Sequence, residues 1–209
     1  MRALFAIAKL EIRMGIRNRW VIATCLLMTL LALSISLLGS APTGTLNVDA
    51  LTLSSVSLAS LTIFLVPLMA LLLSYDGLVG EIDQGTMLLL LSYPVSRISV
   101  VLGKFLGQSS IIGFATLTGY GIAGLITAFA QNKMPPISAW ITFVTMIGSA
   151  ILLGACFVAL GLFCSAIARH RNSAAGAVVS LWLFFVIIFD LLLLGALISG
   201  FDQIISSEI

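Results

Sequence analysis

The chain has 209 residues, of which 60% are hydrophobic and only 9% are charged, and its net charge is +2. Soluble domains carry about 25% charged residues. This composition therefore excludes an ordinary soluble protein and indicates an integral membrane protein.

Residues 2–18 are predicted to form an amphipathic helix ahead of the first apolar run. One helical face carries the basic residues Arg2, Lys9, Arg13 and Arg17, and the other carries Leu4, Ile7, Ala8 and Met14. We expect this helix to lie in the cytoplasmic headgroup region, with its basic face toward anionic lipid. Glu11 interrupts the apolar face. It is expected either to reach a protein neighbour or partner subunit, or to be an ordinary salt-bridged or snorkelling glutamate.

Five apolar runs are long enough to cross about 30 Å of hydrocarbon as helices of about 20 residues. They are residues 20–38, 52–75, 105–129, 139–167 and 174–198. Porin-type strands alternate over about 10 residues, whereas these runs are longer and continuous. The predicted fold class is therefore all-α: a polytopic bundle of transmembrane helices that forms one domain over residues 1–209.

A cleaved signal peptide is the alternative explanation for residues 1–41. The first apolar run has 19 residues, which exceeds the roughly 7–15 apolar residues of a signal sequence. We therefore favour a retained span.

The basic residues predict the orientation of the bundle. With five spans, nine of the ten Lys and Arg residues fall on one side and only Lys133 falls on the other. Basic residues near short loops are retained in the cytoplasm, so we predict a cytoplasmic N-terminus.

The segment 80–98, between the second and third runs, holds the largest cluster of polar residues. Its distinctive residues are Glu81, Asp83, Gly85, Thr86, Pro94 and Arg97. Acidic residues at the start of a short helix are favoured by the helix dipole, and Pro94 stops such a helix. The apolar face of residues 87–91 could pack on the bundle or enter a groove of a partner, and a plain connecting loop is the alternative.

This segment resembles the region after the second span of ABC-2 type permeases, the membrane subunits of ABC exporters. The residues that carry the resemblance are Glu81, Gly85-Thr86, the leucine run, Tyr93-Pro94, Arg97 and Gly103-Lys104. The resemblance implies that residues 80–98 form a coupling helix that docks on a separate ATPase chain. It assigns ATPase coupling to Glu81, Asp83, Gly85, Thr86, Pro94 and Arg97.

A narrower resemblance, over about residues 17–195, is to NosY-type permeases, which belong to the system that matures the copper sites of nitrous oxide reductase. It rests on Arg17-Asn18-Arg19-Trp20, Ser57 to Leu61, Tyr75-Asp76 with Gly80-Glu81, Ser173 to Gly176, and Phe189-Asp190-Leu191. It implies a homodimer in the bacterial inner membrane, with cytoplasmic ATPase subunits and a periplasmic accessory subunit. Such permeases have six spans, so the five runs suggest a truncated chain that lacks the sixth.

No GxxxxGK[ST] motif occurs in the sequence. We therefore expect no enzyme activity and no cofactor in this chain, with ATP and Mg²⁺ bound by the partner ATPase, and no nucleic-acid partner. Three scattered cysteines and the lone His170 lack the spacing of a metal site.

Asp190 lies within the last apolar run, where a carboxylate costs about 2.5–3.5 kcal/mol on insertion scales. Hydroxyl groups of the second run, including Ser57 and Ser60, are candidate hydrogen-bond partners for it, in a substrate path, a gate or a structural contact. An intramembrane aspartyl protease would need a second carboxylate at the same depth, but Asp76 is expected about 25 Å away along the bundle. A membrane anchor of an assembly complex, without transport, is the other alternative.

Overall fold

The computed structural model describes residues 2–17, 22–23, 26–27, 29–34, 50–92, 95–130 and 135–207. The helices with defined bounds are α1 (Arg2–Arg17), α2 (Ala50–Ser74), α3 (Val79–Asp83), α4 (Thr86–Leu91), α5 (Arg97–Ala130), α6 (Ile137–Ile167) and α7 (Arg171–Ser207). No strand occurs in these described ranges. The predicted all-α fold class is confirmed.

Four helical stretches in the described part of the chain are long and apolar enough to cross a membrane. They are Ser55–Asp83, Arg97–Phe129, Ile137–Ile167 and Arg171–Ile188. They correspond to the second to fifth predicted runs, whereas only ten of the 19 residues of the first run, 20–38, are described. Helix α5 begins at Arg97, eight residues before the predicted start of the third run at residue 105, because Gly103 and Lys104 are part of the helix.

The core lies where α2, α5 and α6 meet. Small residues let these helices approach closely: Gly161 of α6 faces Ser74 of α2, and Gly154 faces Val66 and Ile112. Helix α7 packs more loosely, since only 11% of its apolar 18-residue stretch is buried, compared with 56% of the corresponding stretch of α5.

Helix α1 packs along the beginning of α5. Its Ile7 lies against Gly103 and its Glu11 against Gly107. One turn further along both helices, Gly15 of α1 lies against Ile111. Because these pairs advance together, the two helices run in the same direction, and the GxxxG pair of α5 is covered by α1.

The described side chains of α1 follow the predicted faces in part. Ile7 and Ala8 are buried, and the basic residues Lys9 and Arg13 are exposed. Met14, predicted on the apolar face, is exposed, because the contact with α5 is centred on Ala8 and Gly15 and Met14 lies to one side. The Arg17 side chain falls outside the described residues, and the location of α1 at a lipid surface stays a prediction.

We expect Gly107→Ala to loosen α1. A Cβ at this position would lie 2.5 Å from the Glu11 Cβ atom and 3.0 Å from the Ala8 carbonyl oxygen, and neither is the free end of a flexible side chain. Overpacking of this kind costs about 1–3 kcal/mol. The effect should appear as a lower melting temperature of the purified protein in mild detergent.

Gly121→Ala is the matched control on the same helix, since a Cβ there has no neighbour within 4 Å. This change should leave the melting temperature unchanged or raise it, because alanine favours a helix by up to about 1 kcal/mol relative to glycine. Equal melting temperatures for the two variants would show that α1 does not pack against Gly107.

Candidate functional site

Charged and hydroxyl side chains from five helices and from the turn after α2 meet at one end of the bundle. The group, here called the polar junction, consists of Glu11, Asp76, Glu81, Asp83, Lys104, Ser165 and Arg171. It surrounds the turn after α2 and the short helix α3. Each of these side chains contacts a residue that is distant in the sequence, so the junction ties separate helices together.

Lys104 of α5 is the central cation of the junction. Its Nζ atom lies 2.5 Å from Glu11 Oε1 of α1 and 2.6 Å from Glu81 Oε1 of α3. The Lys104 side chain is only 3% exposed. A buried ammonium group must be paired to be tolerated, so one cation holds two other helices on α5.

Arg171 makes the second connection. Its guanidinium Nη2 atom lies 2.6 Å from Asp76 Oδ2, and its backbone N–H donates a 3.0 Å hydrogen bond to Asp83 Oδ2. The Arg171 side chain is 53% exposed, and exposed ion pairs contribute only about 0–1 kcal/mol. The contribution of Arg171 is therefore mainly geometric, because it positions the start of α7 beside α3.

Ser165 of α6 makes the third connection. The backbone N–H groups of Leu78 and Val79 both donate to Ser165 Oγ at 3.0 Å. Leu78 is the N-cap of α3 and provides no side-chain cap of its own. A hydroxyl from another helix thus satisfies amide groups that would otherwise lack a partner at the helix start.

The predicted coupling segment is divided into two short helices. Gly85 has φ = 71°, a left-handed conformation that glycine adopts without steric cost, and it separates α3 from α4. The Thr86 hydroxyl donates a 3.2 Å hydrogen bond to the Glu81 carbonyl oxygen across this bend. Arg97 is exposed at the start of α5, and Pro94 lies outside the described residues.

The structure therefore separates the predicted coupling residues by role. Glu81 and Asp83 point into the junction, and Gly85 and Thr86 set the bend. On α4 the segment instead exposes two large apolar side chains, Leu88 and Leu89, at 77% and 69% exposure. They form an apolar surface flanked by exposed polar residues.

Four contributors to the junction, Asp76, Lys104, Ser165 and Arg171, were not predicted as site residues. In the sequence, Ser165 resembles any other small residue of a membrane helix, and Lys104 only precedes the predicted third span. Glu11 offered a signal, because a carboxylate on an apolar face requires a partner. The sequence did not show that the partner is Lys104, 93 positions away.

The predicted intramembrane polar group lies away from the junction. Asp190 belongs to α7, but its side chain is outside the described residues, so its contact with Ser57 or Ser60 stays a prediction. Ser60 Oγ donates to the Val56 carbonyl oxygen of its own helix at 3.3 Å. Within the described part of the chain, no cluster of His, Cys, Asp or Glu side chains has the arrangement of a metal site.

Comparison with known proteins identifies the family. The profile described as "ABC-2 family transporter protein" matches residues 5–206. The chain belongs to this family. It is 43% identical to the probable ABC transporter permease protein NosY of Pseudomonas aeruginosa and 40% identical to the protein of that name in Stutzerimonas stutzeri. Each alignment spans 198 residues, which are 95% of this chain and 72% of the relative.

The predicted resemblance is thereby confirmed, and the chain is an ABC transporter permease of the NosY type. In this permease the polar junction includes two of the residues that carried the resemblance to ABC-2 proteins, Glu81 and Lys104.

We expect Lys104→Met to destabilise the permease strongly. The change leaves Glu11 and Glu81 partly buried without their cation, and breaking a buried ion pair costs about 3–5 kcal/mol. Thermal unfolding in detergent would measure the loss. Arg171→Met, at the exposed pair, should cost much less.

Removing the two carboxylates as well should restore stability. The triple variant Lys104→Met, Glu11→Gln, Glu81→Gln has no uncompensated charge, and neutral replacements of buried ion pairs are often tolerated. A triple variant no more stable than Lys104→Met alone would contradict the assignment of the three groups to one charge cluster.

Ser165→Ala should loosen the start of α3. The change leaves the Leu78 and Val79 amide groups without an acceptor, and each unsatisfied buried amide costs about 1–3 kcal/mol. Limited proteolysis of the 79–92 segment should become faster. Ser149→Ala is the control, because the Ser149 hydroxyl donates to a carbonyl of its own helix, and it should leave the cleavage rate unchanged.

Proposed function

We propose that this permease is the membrane subunit of an ABC exporter, in which a separate cytoplasmic ATPase chain drives transport by docking on and moving residues 80–98. The observation that supports this proposal most directly is the exposed Leu88-Leu89 surface of α4, placed beside the polar junction. Large exposed apolar patches between polar residues mark interaction sites. An amphipathic helix can insert such side chains into a groove of its partner.

The polar junction supplies the mechanical connection that such a drive requires. Movement of α4 is transmitted across Gly85 to α3. From α3, Glu81 connects to Lys104 and so to α5 and α1, while Asp83 connects to the start of α7. Ser165 connects the start of α3 to α6. A displacement of the short helices therefore acts on four long helices at once.

The NosY-type resemblance supports a proposal for the assembly. We propose a homodimer of this permease in the bacterial inner membrane, with its N-terminus in the cytoplasm and with ATP and Mg²⁺ bound by the ATPase subunits. A periplasmic accessory subunit completes the complex. The NosY-type resemblance supports a cargo that is used in assembling the copper sites of nitrous oxide reductase. Residues 80–98 face the ATPase in this arrangement.

Transport is favoured over a passive anchor by the way the segment is attached. An anchor needs only an exposed docking surface, whereas here the segment is bonded to α5, α6 and α7 through side chains of low exposure such as Lys104 and Ser165. An aspartyl protease is disfavoured because Asp76, its candidate carboxylate, is paired with Arg171.

The structure also determines which substitutions can test docking. Reversing the charge of Glu81 would place a second cation against Lys104 and disrupt the junction, whether or not Glu81 contacts the ATPase. Leu88 and Leu89 are better targets because they project outward from α4. The double variant Leu88→Ala, Leu89→Ala should lower the amount of ATPase that co-purifies with the permease in mild detergent by about tenfold, since two truncated interface anchors cost about 1–2 kcal/mol or more.

The matched control is the double variant Phe5→Ala, Leu10→Ala, which removes two exposed apolar side chains of α1. It should leave co-purification unchanged. An equal loss in both variants would mean that the apolar surface is needed for general integrity. Unchanged co-purification in both would overturn docking through α4.

A further inference from the structure

A groove between α6 and α7 lies beside the turn that connects these helices, at the same end of the permease as the polar junction. It has a volume of about 500 Å³, within the roughly 300–1,000 Å³ range of small-molecule sites. Its lining includes Phe163 and Ile167 of α6, Arg169 and His170 of the connecting turn, and Ser173 and Ala177 of α7. Large side chains of α6 thus face small ones of α7, which leaves room for a chain-like ligand.

The groove is apolar along its length and basic at one end. Phe163 and Ile167 are exposed and form its open wall. Arg169 and His170 lie in the turn that connects α6 and α7, and both are exposed. The shape therefore suits an amphiphile with a hydrocarbon tail and an anionic head.

The positive charge of Arg169 is not neutralised by the protein. Among the described residues, the acidic side chains at this end have other partners: Glu11 and Glu81 bind Lys104, and Asp76 binds Arg171. Asp83 accepts from the backbone of Arg171. No ion pair to Arg169 or His170 occurs within the described ranges.

The depth of the groove matches a lipid. Two candidate membrane spans, Ile137–Ile167 and Arg171–Ile188, end and begin on either side of Arg169 and His170. Cationic side chains at such positions lie at the headgroup level. Basic pockets between transmembrane helices are suited to anionic lipid headgroups.

We propose that this groove binds an anionic phospholipid, with the headgroup phosphate on Arg169 and His170 and an acyl chain along Phe163 and Ile167. The charge of the rim favours this occupant over a second copy of the permease. A symmetric partner would bring its own Arg169 to the contact, which adds positive charge, whereas a lipid phosphate neutralises it.

Native mass spectrometry of the purified full-length permease tests the proposal, with phosphatidylglycerol and phosphatidylcholine as the probes. The wild-type protein should retain one phosphatidylglycerol per chain about tenfold more tightly than phosphatidylcholine. The double variant Arg169→Ala, His170→Ala should lose about tenfold in phosphatidylglycerol affinity, as expected when charge-assisted contacts to the phosphate are removed. Equal affinity for the two lipids, or no loss in the variant, would overturn the proposal.

The double variant Lys9→Ala, Arg13→Ala is the matched control, because it removes two exposed cations of α1. It should change phosphatidylglycerol affinity less than about twofold; a loss as large as in the groove variant would show non-specific attraction to anionic lipid and refute a defined site.

Ala177→Phe tests the groove itself, because the larger side chain fills it. A monodisperse Ala177→Phe protein should lose the bound phosphatidylglycerol. If Ala177→Phe instead dissociates a dimer and leaves lipid retention unchanged, a second copy occupies the groove and the proposal is wrong. These measurements use the permease without its ATPase, so their outcome is independent of docking through α4.

Discussion

The arrangement of this permease at its polar end depends on one buried ammonium group. Lys104 lies in a helix that is otherwise suited to hydrocarbon, and its charge can be accommodated only if acidic groups are brought to it. Glu11 and Glu81 meet this requirement from two other elements. The electrostatic demand of one side chain thus determines where α1 and α3 are held against α5.

The same arrangement separates the side chains that attach the 80–98 segment to the bundle from those that the segment exposes. The acidic side chains of the 80–98 segment face the bundle and attach it, while its exposed leucines face outward. The left-handed Gly85 stands between the two parts. Helix α3 is attached to the bundle through charges, and α4, beyond the bend, exposes apolar side chains. This arrangement is suited to transmit a movement of a partner bound at α4 to the long helices.

Local patterns in the sequence were sufficient for much of the fold. Long apolar runs predicted α2, α5, α6 and α7, since the need to satisfy backbone hydrogen bonds in lipid leaves helices as the only continuous solution. The spacing of Ile7, Ala8 and Lys9 predicted which side of α1 would be buried. Glu81 and Asp83 stood out because acidic residues are rare in this chain.

The contacts that assemble the junction were beyond such patterns. Ser165 is chemically ordinary for a membrane helix, and its function as a cap for α3 depends on a neighbour almost ninety positions away. The GxxxG spacing of Gly103 and Gly107 is typical of a close helix contact, but it does not specify that α1 makes this contact. Long-range pairing of this kind depends on the packed arrangement of helices, which single-sequence periodicity does not contain.

The order of the charged residues along the chain also bears on how the protein enters the membrane. A lysine costs about 2.5–3.5 kcal/mol at the centre of an inserting helix on biological insertion scales, and less near the end of the helix, where Lys104 lies. Both carboxylates that pair with Lys104 precede it in the sequence, so they have already been synthesised when α5 leaves the ribosome. Both carboxylates are therefore available before Lys104 is synthesised. Helix α5 can be inserted as part of a neutralised cluster before α6 and α7 are synthesised.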